Sequence, residues 1–125
     1  MVYLIDTNII IRFLVGDHQE HLKISTDIFK QIENNQIKAS ILESVAMEAF
    51  FVLTKFYTIP KSNVISDLKK LISLPGIVGD KLTLLETLNI LSNKNIDFVD
   101  ALLCAKSNLQ EYKILSFDND INKCI

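Results

Sequence analysis

Apolar residues fall along this chain in two kinds of run, short unbroken ones and longer ones with helical spacing. Val2 to Ile5 is unbroken and ends at Asp6, the pattern of a strand buried on both faces of a parallel sheet. Ile37 to Ser40 predicts a second short strand, Ile77-Val78 a brief third, and Lys113 to Phe117 a last one with Asp118 at its end. Thr7-Asn8 turns the chain after the first strand, and Ile9 to Val15 predicts a helix closing near Gly16. From about His21 to Asn34, Leu22, Ile24, Ile28, Phe29 and Ile32 recur at helical spacing. Ser40 followed by Glu43 has the spacing of a capping box and predicts a third helix running to about Tyr57. Pro60 opens a fourth, with Val64, Ile65, Leu68, Leu71 and Ile72 on one face and Pro75-Gly76 as its stop. Thr83 to Asn93 and Asp97 to about Glu111 predict two more helices. Strands alternating with helices predict a three-layer α/β/α domain around a central parallel sheet. With no internal repeat and no linker, residues 1–125 read as a single domain.

Composition narrows the class. The 125 residues are 49% hydrophobic, and 13 basic against 15 acidic residues give a net charge of −2. A domain of this size buries about two-thirds of its unfolded surface, enough for a core without disulfides or structural metal. Disordered, collagen-like and low-complexity classes are excluded, and no overall positive field attracts phosphates. The two cysteines, Cys104 and Cys124, give neither a disulfide framework nor a zinc spacing, which favours a reducing cytoplasm. The N-terminus lacks the basic flank and cleavage site of a signal peptide. No uncharged apolar run reaches the roughly 18 residues a membrane helix needs.

In an open parallel sheet, function collects at the carboxyl ends of the strands. Asp6 ends the first strand and Asp118 the last, so both can meet on one edge; the competing role for each is to cap the helix that follows. Glu48 lies in the apolar stretch Val45 to Leu53, where an ionised carboxylate needs a cation, a proton or a metal. Its structural alternative is a pair with Arg12, the single arginine. Asp97 and Asp100 open a helix, with Asp97 read as N-cap and Asp100, among Val99, Leu103 and Cys104, turned toward protein. His18 and His21 sit in a polar stretch without zinc spacing and read as solvent-exposed. There is no Gly-rich phosphate loop and no nucleophile elbow. If Asp6, Glu48, Asp100 and Asp118 converge, two charges 4 Å apart repel by about 4 kcal/mol at an effective dielectric near 20, so the cluster requires a cation. Oxygen-only ligands select a hard ion such as Mg²⁺ or Mn²⁺, the arrangement for phosphoryl chemistry with water as nucleophile.

Four segments, Leu4-Ile5-Asp6-Thr7-Asn8, Glu48-Ala49-Phe50-Phe51-Val52-Leu53, Asp97-Phe98-Val99-Asp100-Ala101-Leu102 and Leu115-Ser116-Phe117-Asp118, resemble in order and spacing the PIN-domain nucleases. They are most similar to the single-domain VapC-type toxins of prokaryotic toxin–antitoxin pairs. The resemblance implies a PIN fold and Mg²⁺- or Mn²⁺-dependent cleavage of RNA. It carries the metal-site roles to Asp6, Glu48, Asp100 and Asp118, a further variable acid to Asp97, and carboxylate-orienting roles to Asn8 and Ser116. Ser116 stands where the family commonly has Thr and keeps the hydroxyl. The resemblance also implies a homodimer and an antitoxin partner. Many relatives continue past the position of Ile125 into one more short strand, which predicts an unpaired sheet edge here. Two further readings are a catalytically silent PIN-like binding module and a dehalogenase-type phosphotransferase; the latter wants an Asp at position 8, where this chain has Asn. A receiver domain lacks its paired acids beside the first strand.

Overall fold

The computed structural model describes residues 1–117. Asp118 and the C-terminal edge therefore lie outside the described residues, and the chain divides into two compact units, Met1–Gly79 and Asp80–Ile125.

The first unit is built on β1 (Val2–Leu4) and β2 (Lys38–Ser40), paired in parallel with Leu4 opposite Ser40. The Ile5 N–H extends the ladder by donating to Ser40 O at 3.2 Å. Ile77 adds one parallel bridge to Ala39, with Ala39 N–H donating to Gly76 O and Val78 N–H to Ala39 O, so the brief third strand shrinks to a bridge. The expected two-sided burial of the first strand is corrected: Leu4 is 68% exposed and only Ile5 of this run is buried, and among the described residues β1 pairs with β2 alone.

Helix α1 (Thr7–Val15) begins two residues earlier than the sequence predicts, absorbing the Thr7-Asn8 turn. It ends at Gly16, whose φ of 70° is left-handed and suits a residue without Cβ. Helix α2 (Gln19–Glu33) starts with His18 Nδ1 accepting the His21 N–H, and the two rings stack in solvent. Phe13 and Phe29, with centroids 4.8 Å apart, pack α1 on α2. The capping box is overturned. Helix α3 (Glu43–Phe51) has Leu42 as N-cap with no side-chain cap bond, and Ser40 belongs to β2. A capping box needs its acid at the third helical position, whereas Glu43 is the first. Beyond α3 the helix widens into a π-helical segment, Val52–Phe56. Helix α4 (Lys61–Ile72) buries the five apolar residues its spacing singled out.

The second unit pairs α5 (Lys81–Asn93) with α6 (Phe98–Gln110). Ala101 and Ala105, four apart on α6, are fully buried, and their small size permits close approach. Thr83 and Thr87 are buried as well, the Thr87 hydroxyl donating to Thr83 O at 2.7 Å. Cys104 is disulfide-bonded rather than a free thiol, a correction to the sequence expectation, since spacing along the chain does not fix distance in space. Residues 113–117 form no strand, and Leu115 and Phe117 are exposed. An apolar run becomes a strand only where a neighbouring strand accepts its backbone bonds.

Candidate functional site

The functional candidates separate by what their carboxylates already hold. Asp6 follows Ile5, the last ladder residue of β1, and occupies the N-cap position of α1 with extended backbone. Its main-chain carbonyl accepts the Ile9 N–H at 3.1 Å, but its side chain makes no cap bond. The capping role that competes with the functional one is therefore unfilled at Asp6, and the side chain is exposed.

Glu48 lies on α3, which packs on α1. It is exposed rather than buried, so the buried-charge reasoning of the sequence reading does not apply to it. The Arg12 alternative is also set aside: Arg12 Nη1 donates to Asp17 Oδ1 at 3.2 Å, and among the described residues no ion pair reaches Glu48. Val52, one helical turn beyond Glu48 and so on its side of the helix, lines a cavity with Asn8, two residues beyond Asp6. Asp6 itself lines a second cavity, beside Leu4, Ile9 and Gln31; the helix it opens, α1, packs on α3.

In the second unit Asp97 is the N-cap of α6, its Oδ1 accepting the Asp100 N–H at 2.9 Å. Its structural role is thus filled by one oxygen, as the sequence anticipates. Asp100 is only 9% exposed, which agrees with an orientation toward protein. Ser116 is exposed and Asp118 lies outside the described residues.

Two polar arrangements escape sequence reasoning. Asp80 caps α5, accepting from the Thr83 N–H and hydroxyl and from Gln110 Nε2. These bonds, led by the Thr83 hydroxyl, hold its carboxyl below the usual carboxylate range. The Asp80-to-Thr83 spacing is a cap signal that could have located it. The second arrangement joins Arg12 and Tyr57 through the Asp17 carboxylate, with the Tyr57 hydroxyl donating to Oδ2 at 3.2 Å; forty residues separate Asp17 and Tyr57, and no local pattern announces that pairing.

A divalent cation fits the donor chemistry of the candidates, which is entirely carboxylate oxygen. Among the described residues no three His, Cys, Asp or Glu gather into a metal-holding group. No described helix is long and apolar enough to cross a membrane.

No curated protein matches this chain. The family model for the PIN domain matches residues 3–124, a span that takes in all four segments carrying the candidate acids. PIN domains are generally nucleases that act on nucleic acid and use divalent metal ions. With nearly its whole length matched, and with helices and a parallel sheet as that fold requires, the chain belongs to the PIN domain family.

Proposed function

We propose that this chain is a Mg²⁺- or Mn²⁺-dependent endoribonuclease, a single PIN domain over residues 1–125 that hydrolyses RNA phosphodiester bonds. In this reading it is the toxin of a type II toxin–antitoxin pair, works as a homodimer and is restrained by an antitoxin. The observation that supports it most is Asp6: an acid at the carboxyl end of β1, in a capping position, whose carboxylate makes no cap bond.

Asp6, Glu48, Asp100 and Asp118 are the residues that would hold the ion, with Asp97 as a further acid through the oxygen its cap leaves over. A divalent ion, when bound, would make water easier to deprotonate, so that a nucleophile is available near neutral pH, and would offset charge on the phosphoryl oxygens. The chain itself presents the acceptors. Asp6 is the N-cap of α1 and Asp100 sits in the first turn of α6, helix starts where the dipole favours negative charge. Asp97 orders the first turn of α6 and thereby places Asp100. Asn8 and Ser116 are assigned to orienting the carboxylates. The test is cleavage of RNA by Asp6→Asn and Glu48→Gln beside the unsubstituted chain. Both variants are expected to lose cleavage with little change in melting temperature, and full-rate cleavage by Asp6→Asn overturns the assignment.

A further inference from the structure

We propose that the cavity of about 290 Å³ bounded by Asn8, Ile11, Arg12, Val52, Phe56 and Tyr57 is a subsite for an unpaired RNA base, with the Phe56 ring as its stacking platform. This inference rests on the ribonuclease reading and names how the substrate is held.

Its volume is near the lower end of the roughly 300 to 1,000 Å³ of small-ligand sites, suited to one nucleoside rather than a duplex. Phe56 is 78% exposed, a large flat ring left in water beside a concave surface. Tyr57 meets its edge, with centroids 5.0 Å apart and planes at 81°. The Asp17 carboxylate fixes both polar walls of the cavity, holding the Arg12 guanidinium with one oxygen and the Tyr57 hydroxyl with the other. Arg12 keeps further N–H donors for the acceptor edge of a base, and Asn8 supplies an amide of both donor and acceptor character. Phe56 ends the π-helical segment, a rare geometry frequent at functional sites, and the Thr54 hydroxyl in it donates back to Phe50 O of α3 at 2.8 Å.

Position and charge point the same way. Val52 lies one helical turn past Glu48 and on its side of the helix, so a strand lying across that acid reaches the cavity. A chain of net charge −2 has no broad positive field with which to hold phosphates. Base–aromatic stacking supplies affinity that depends on an exposed base face instead.

The chain contains no tryptophan, so Phe56→Trp introduces a single indole at the platform, which can be excited selectively over tyrosine. In an Asp6→Asn background, which spares the probe, titration with a short single-stranded oligoribonucleotide is expected to quench its emission saturably, while a duplex of the same sequence does not. Phe56→Ala in that background is expected to weaken single-strand binding by about tenfold to a hundredfold, and an abasic nucleotide in the probe to reproduce part of that loss. Because Phe56 is exposed, its truncation leaves the core intact, which a melt verifies. Unchanged binding by Phe56→Ala, or an unquenched Trp in a protein that still binds RNA, overturns the subsite and leaves the ribonuclease reading standing. An emission change that follows protein concentration without RNA means a second copy covers the ring, and also overturns it. If the unsubstituted chain neither cuts nor binds RNA, the proposed function fails and the subsite with it.

Discussion

Asp97 and Asp6 occupy the same position at the start of their helices, yet only Asp97 uses its side chain there, Oδ1 accepting the Asp100 N–H at 2.9 Å while Asp6 makes no cap bond. One carboxylate is tied to its helix start and the other has no such bond.

Asp97→Ala is therefore expected to destabilise the second unit by about 1 kcal/mol, the usual cost of removing an N-cap. Asp97→Asn, which retains an acceptor, is expected to recover most of it. Thermal or urea unfolding of the two variants measures this, and equal stability of Asp97→Ala and the parent contradicts the capping role.

Asp6→Ala is expected to leave stability within about 0.5 kcal/mol, as for surface changes without a lost cap or core contact. The same unfolding experiment reads it. A loss as large as that of Asp97→Ala would mean the Asp6 carboxylate is structural after all.

Asp80 gives a pH dependence with a definite sign. Its hydrogen bonds to Thr83 and Gln110 lower its pKa in the folded state. The stabilisation is present above the usual carboxylate range and is lost as pH falls through the folded value. Asp80→Asn is expected to be less stable than the parent at neutral pH, with the gap closing on acidification. A gap that widens toward acid contradicts it.

The close approach of backbone at Gly76 also has a testable cost. A Cβ there would lie 2.5 Å from Ile37 O and 2.6 Å from Ile32 O, and the Gly76 N–H already donates to Ile32 O. Gly76→Ala is expected to destabilise the first unit by about 1 to 3 kcal/mol, in the range of overpacking, as read from the denaturation midpoint.

Much of the architecture was legible because apolar spacing dictates burial. The predicted face of α4 is the buried one residue for residue, and Asp97 caps where its position before an apolar helix said it would. Ser40 and Glu43 failed as a capping box because strand pairing with Leu4 took Ser40 into β2. Glu48 misled through its neighbours: an apolar sequence context does not establish burial when the residue points out of the helix face that packs. The Asp17 bonds to Arg12 and Tyr57 had no signature, since contacts between side chains forty residues apart depend on the packing of whole helices. The Lys113–Phe117 run shows the same dependence, because a strand needs a partner that its own residues do not specify.

The most direct test of the central claim is the cleavage of bulk transfer RNA by the purified protein with Mn²⁺ and with excess EDTA, with Asp6→Asn run beside it. Fragments that appear with Mn²⁺, vanish with EDTA and are absent for Asp6→Asn are the predicted result. Cleavage that persists at full rate in EDTA or in Asp6→Asn would contradict it.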